Sequence, residues 1–294
     1  MNGYVVTILT QIAIQAIVVC GLNVIVGYAG QISLGHAAFF GIGAYSAALL
    51  ATQGGLGFWS ALPIVLAICA GCGLLLGLPS LRLKHDFLAI TTIGINFIVQ
   101  AVFLYVPFFG GALGISGIPR VELFGTALRG TRFLYLCLAF LALVVLVSWL
   151  FTRVFAGLAC FALREDEPAA ASMGISPVRF KLLAFMLGTM FAGLGGSLYA
   201  HQMRFVSADD FSFPLSVSFL AMLVLGGMGS LLGPLVGALI LGALPEVFRP
   251  LANYRILFYA LILLLMIRFQ PGGIFGENSL LRRRLMPLFL GGKA

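Results

Sequence analysis

Apolar positions in this chain run on without the alternation of a strand or the one-sided stripe of a surface helix. Runs of mostly apolar residues follow one another at 4–26, 36–52, 58–80, 87–108, 132–151, 181–201, 214–230, 233–250 and 252–270, separated by short polar or glycine-rich groups. Roughly 20 residues at 1.5 Å each cross a hydrocarbon core of roughly 30 Å. A segment in lipid must satisfy its own backbone hydrogen bonds, so continuous runs of this kind are helices, whereas a barrel would show short alternating segments. The pattern predicts an all-α polytopic membrane protein with about nine transmembrane helices, in a range of eight to ten.

Composition strengthens this reading. The chain is 61% hydrophobic and only 9% Asp, Glu, Lys or Arg, against roughly 45–50% apolar content in a soluble domain. The first Lys or Arg is Arg82, so the opening run lacks the charged start of a signal peptide and reads as a retained span. The net charge of +8 is a topology signal here and not a nucleic-acid footprint, because the basic residues sit at span ends and in the tail. With the C-terminus inside, Arg82, Lys84, Arg153, Arg164, Arg179, Lys181, Arg268, Arg282, Arg283, Arg284 and Lys293 fall on the inner side. Arg120, Arg129, Arg132, Arg204, Arg249 and Arg255 fall on the outer side, and this inward excess predicts N-terminus out and C-terminus in. The expected organisation is a transmembrane domain at 1–276 and a basic cytoplasmic tail at 277–294, with an outer loop at 109–131 and a long cytoplasmic connection at 153–181.

Two glycine-rich stretches interrupt the apolar pattern at inner turns, GYAGQISLGHAAFFGIG at 27–43 and GGMGSLLGPLVG at 226–237. They read as broken or re-entrant helices, or as tight turns with close backbone packing; non-helical backbone at membrane depth survives only beside protein or water. Gly27, Gly30, Gln31, Ser33, Gly35, His36, Gly226, Gly227, Gly229 and Gly233 are the expected pathway or gate residues. Gly73 with Gly77, and Gly233 with Gly237, are spaced for close helix approach.

Ionisable residues are nearly missing from span interiors, which argues against proton or ion coupling through a buried acid. Neutral Gln11, Gln15, Asn23, Asn96 and Gln100 remain, suited either to a polar path or to hydrogen bonds between helices. No HExxH or GxSxG is present, and none of the three lysines, Lys84, Lys181 and Lys293, sits in a P-loop, so no metalloenzyme, hydrolase or ATPase site is expected in this chain. Cys20, Cys69, Cys72, Cys137 and Cys160 all lie in apolar context, as packing residues.

Four consecutive charges, Arg164 to Glu167, stand in the inner connection within ALREDEPAAASMGI at 162–175. Asp166 or Glu167 suits a helix cap, Pro168 a first turn and Gly174 an end. The result is a helix of about two turns, either a docking element for a partner's groove or an ordinary solvated loop.

The stretch ALREDEPAAASMGISPVRFKLLAF resembles the cytoplasmic loop of permease subunits of ABC importers for branched-chain amino acids. Glu167, Ala169, Ala170 and Gly174 loosely match that family's "EAA…G" signature, which docks on the ATPase. GLNVIVGYAGQISLGHAAFFGIGAYSAALL at 21–50, LRLKHDFLAITTIG at 81–94, GGMGSLLGP and RFQPGGIFG at 268–276 resemble the family in the same order. The resemblance implies a permease of the bacterial inner membrane that works by alternating access beside a second similar permease. It also implies an extracytoplasmic solute-binding protein and two cytoplasmic ATPase subunits that hold ATP and Mg. Arg164, Glu165, Asp166 and Glu167 would then be polar contacts at the site of transmission. The competing class is an ion-coupled secondary transporter of a small neutral solute.

Overall fold

A computed structural model describes residues 3–80, 85–123, 125–247, 257, 261, 264, 265, 268 and 272–275. Most of the expected last span at 252–270 and all of the tail at 277–294 lie outside the described residues, as do Arg82, Lys84, Arg249 and Arg255. The helices are α1 (Gly3–Leu22), α2 (His36–Thr52), α3 (Phe58–Ser80), α4 (His85–Tyr105) and α5 (Thr131–Arg153), then α6 (Phe155–Glu165), α7 (Glu167–Ser172), α8 (Pro177–Met203), α9 (Phe213–Gly226) and α10 (Gly233–Val247). Eight of the nine expected runs are therefore helical. Among the described residues six helices, at Gly3–Tyr28, Phe58–Gly77, Phe87–Tyr105, Thr131–Arg153, Pro177–Met203 and Ala208–Gly226, are long and apolar enough to cross a membrane, while His36–Thr52 and Gly233–Leu244 are shorter.

The loop at 109–131 is more ordered than its glycines predict. Its β1 (Ile115–Ser116) pairs with β4 (Phe205–Val206), which follows α8, and β2 (Glu122–Leu123) pairs with β3 (Thr126–Ala127), both antiparallel. Beyond β4, Ser207 and Asp210 form a reciprocal capping box at the head of a 3₁₀ turn, a pairing that uses two otherwise orphaned N–H groups.

Helix α8 is the centre of the bundle and packs against α1, α2 and α3. Lipid offers helices no hydrophobic reason to associate, so backbones must come close enough for dispersion to hold them. Glycines provide the room. A Cβ at Gly196 would meet the Phe40 carbonyl and the Ala44 amide, one at Gly193 the Cys69 thiol, and one at Gly188 the Gly21 carbonyl. Gly73 lies against Thr189 and Gly77 against Leu182 and Phe185, so the expected close approach of α3 is made onto α8. Gly226, Gly233 and Gly237 do the same for the α9–α10 hairpin, where a methyl at Gly237 would clash with the Met222 carbonyl. Two-thirds of the apolar windows of α1 and α8 are buried, 67% each, against 28% for α3, α4 and α5. The outer helices thus carry the exposed apolar side chains, among them Leu75, Ile98 and Tyr135.

The turn at 272–275 returns to the end of α9. Ile274 donates its N–H to the Leu225 carbonyl and Phe275 to that of Gly226, both at 2.9 Å. These are acceptors that a helix end leaves unused, so part of the RFQPGGIFG stretch acts as a cap supplied from a distant point in the sequence. All five cysteines are free thiols, four of them buried and Cys72 partly so.

Candidate functional site

Asn23 begins the site. It stands where α1 widens into a π-helical turn over Asn23–Tyr28, the kind of bulge that often marks a functional position. A buried amide is costly unless both its donor and its acceptor are used. Asn23 Nδ2 donates to the Ser230 carbonyl and Asn23 Oδ1 accepts from the Gly229 N–H, both at 2.9 Å. One side chain therefore ties the π-turn that leads into the first glycine-rich stretch to the second stretch.

The backbone at this crossing needs glycine. Gly30 and Gly229 have φ of 68° and 79°, in the left-handed region that other residues enter only at a cost. Gly27 has no room for a side chain, because a Cβ would collide with Asn23 Oδ1 and the Gly229 amide.

Arg164, in the last turn of α6, fills the space those glycines leave. Its Nη1 donates to the Gly27 carbonyl at 2.6 Å. A Cβ added to Gly30 would stand 3.0 Å from Arg164 Cγ, and one added to Gly229 would stand 2.7 Å from Nη1. Tyr28 packs its ring on Phe161 of α6, with centroids 5.2 Å apart. Glu165, its side chain 76% exposed, approaches Arg164 Nε only to 4.0 Å. The first two of the four consecutive charges therefore diverge: Arg164 turns into the protein and Glu165 faces out.

The second two organise α7. Asp166 is its N-cap, Oδ1 accepting from the Ala169 N–H at 3.0 Å. Gly174, with φ of 86°, follows the end of the helix. At six residues α7 falls short of two full turns. Glu167 Oε2 pairs with Lys181 Nζ of α8 at 2.6 Å, and the Lys181 carbonyl accepts from Gln31 Nε2 at 2.9 Å. This gives a second tie from the α7 segment to the first glycine-rich stretch. Ala169, Met173 and Gly174 are exposed, whereas Ala170 is buried.

The remaining expected residues fall into two groups. Ser33, Gly35 and His36 are buried at the start of α2. There the Leu34 N–H donates to Thr92 Oγ1 at 2.9 Å, Gly35 lies hard against the Thr92 carbonyl, and His36 Nε2 donates to the Val18 carbonyl at 3.1 Å. Ser216 Oγ accepts from the Ala37 N–H and donates to Asn96 Oδ1, so Asn96 bonds between helices. Gly226 and Gly233 serve the α9–α10 hairpin, and Gly227 packs on Gly273. Asn23, Ser230 and Lys181 belong to the site but were not among the expected site residues; the signal for Asn23 was an amide in an otherwise apolar run. Among the described residues no three His, Cys, Asp or Glu side chains gather in a metal-binding arrangement.

Comparison with known proteins decides the family. The profile described as "Branched-chain amino acid transport system / permease component" matches residues 4–269. The chain belongs to this permease family. It is 40% identical to the high-affinity branched-chain amino acid transport system permease protein LivM of Escherichia coli, covering 92% of this chain and 69% of that one. The LivM protein of Salmonella typhimurium is matched to the same extent. The LivH permease of E. coli is 30% identical across 52% of this chain and 48% of its own. No solved structure matches the permease. It is a multi-pass membrane protein, with a paired tie between its α6–α7 segment and its glycine crossing.

Proposed function

We propose that this chain is one of two permeases of an ATP-driven importer for branched-chain or related amino acids in the bacterial inner membrane. It would work with a second similar permease, two cytoplasmic ATPase subunits carrying ATP and Mg, and an extracytoplasmic solute-binding protein. The supporting comparison is the resemblance to LivM and LivH, whose names place both in branched-chain amino acid transport. In this reading the exposed side of α7 meets the ATPase, and motion passes through α6 to the crossing of the two glycine-rich stretches.

One observation carries the mechanism: the 2.6 Å bond from Arg164 Nη1 to the Gly27 carbonyl, with the guanidinium seated against Gly229. A hydrogen bond to a charged donor contributes about 1.5–3 kcal/mol. Reversing a two-state balance from about 1:99 to 99:1 takes about 5.5 kcal/mol. The Arg164 contact therefore biases one state without locking it, which suits a part that must be released in every cycle.

The test is uptake into proteoliposomes holding the complete assembly, with ATP supplied on the α7 side. Leucine uptake should persist with an uncoupler present, and Arg164→Gln should keep ATP hydrolysis while cutting uptake at least about ten-fold, the effect of losing roughly 1.4 kcal/mol. Uptake that collapses with the uncoupler while ATP is maintained would instead mark an ion-coupled secondary transporter.

A further inference from the structure

Helix α6 is apolar on two sides, and the bundle uses only one of them. Its packed side sets Gly157 against the Phe151 carbonyl, Cys160 against the Phe180 carbonyl, Phe161 against Tyr28 and Arg164 against Gly27. The other side is open. Phe155 is 67% exposed and Leu158 56%, and Val154 is exposed just ahead of them. Spaced three and four residues apart, these side chains form one stripe along the helix, which ends at the exposed Glu165. Apolar surface of this size stands in water only at a cost, so something covers it.

Two observations say what the cover is. First, the stripe continues the outer face of α5, a helix long and apolar enough to cross a membrane. Leu143, Leu146 and Leu150 are exposed there at the same spacings and lead to Val154, the extended residue at the elbow between the two helices. Second, the groups beside the stripe are those that gather where hydrocarbon meets water. The Arg153 guanidinium stands 4.4 Å over the ring of the exposed Trp149, and tryptophan and arginine are both favoured at that level. On α8, Phe180 meets Phe155 edge to face with centroids 5.6 Å apart, and Arg179 just before it is exposed. Neither Arg153 nor Arg179 is paired with a carboxylate among the described residues. An apolar stripe next to two cations without counter-ions has the chemistry of a surface for anionic lipid.

We propose that the elbow between α5 and α6 binds an anionic phospholipid. Val154, Phe155 and Leu158 enter the acyl chains, Arg153 and Arg179 hold the headgroup phosphate, and α6 lies on the membrane surface until Glu165 leads the chain into water. The stripe is continuous with the face of α5 and is separated from the exposed residues of α7 by Glu165 and Asp166, so lipid covers it and not a partner docked on α7. The same helix holds Arg164 on the Gly27 carbonyl, so a lipid that fixes α6 bears on that contact. This bearing on transport rests on the importer reading; the lipid site does not.

Trp149, one of two tryptophans in the chain, is the reporter for the test. The full chain carrying Trp59→Phe is placed in phosphatidylcholine nanodiscs with and without phosphatidylglycerol, with brominated acyl chains to quench Trp149 on contact. At equal mole fraction brominated phosphatidylglycerol should quench more than brominated phosphatidylcholine. Arg153→Gln and Arg179→Gln should each lower that preference about five-fold, and both side chains are exposed, so the variants keep the fold. Equal quenching by the two lipids, or a preference that survives loss of both arginines, would overturn the proposal. So would amide exchange in α6 that anionic lipid leaves unchanged and that slows only when a partner chain binds, which gives the face to that partner. In the complete assembly, ATP-driven uptake should fall when phosphatidylglycerol is withdrawn and should ignore it in the double variant. A Trp149 preference without lipid-dependent uptake keeps the site and removes its bearing on transport, whereas failure of all ATP-driven uptake removes the importer and leaves the site.

Discussion

Gly229 and Asn23 show how much of this site depends on single atoms. Gly229→Ala puts a methyl both into left-handed backbone and against Arg164 Nη1. The backbone alone costs roughly 1–2 kcal/mol, so the variant should show a lower melting temperature in detergent and reduced uptake. Gly94, where an added Cβ meets nothing within 4 Å, should accept alanine without loss and serves as the control. Asn23→Leu should cost more than either. It leaves the Gly229 N–H and the Ser230 carbonyl without partners, at about 1–3 kcal/mol for each buried unsatisfied group. Asn23→Asp keeps only the acceptor and should fall between wild type and leucine in the same melting assay.

Short elements magnify the weight of their caps. Helix α7 has six residues and one side-chain cap, Asp166. Asp166→Ala should remove about 1 kcal/mol and speed amide exchange in α7 while leaving α3 unchanged. The Glu167–Lys181 pair is more sheltered than a surface ion pair, with the lysine side chain 11% exposed. A double-mutant cycle on the two should therefore give a coupling at or above the roughly 0.2–1 kcal/mol of exposed pairs. The sequence made α7 legible because cap, proline and glycine are local signals. The eight described apolar helices were legible for the same reason, since spanning lipid is a matter of length and hydropathy. What stayed hidden was long-range. Nothing near Arg164 says that its guanidinium turns to Gly27, because that contact depends on how α6 leans on the π-turn at Asn23–Tyr28. The order in the 109–131 loop was equally invisible, since β1 finds its partner only after α8 has crossed the bundle.

Across the whole molecule, α8 runs from the α7 contact to the opposite end of the bundle. Its 27 residues make a rod of about 40 Å at 1.5 Å per residue, with the Glu167 partner Lys181 near its start and His201 near its finish. Against this buried rod, the outer faces of α3, α4 and α5 meet lipid or a partner. Ile98→Asp, on an exposed face of α4, should therefore impair membrane insertion by about 2.5–3.5 kcal/mol, read as loss of membrane-integrated protein. Leu113→Asp, fully as exposed but in the loop, should be neutral in the same assay. The cap on α9 has a temporal consequence as well. The carbonyls of Leu225 and Gly226 wait for N–H groups of Ile274 and Phe275, which the ribosome adds about 50 residues later, roughly 2–10 s at ordinary rates of synthesis. Until then the end of α9 is unfinished beside Gly227 and the Asn23 clamp, so the crossing at the heart of the proposed switch is among the last parts of the protein to close during its biogenesis.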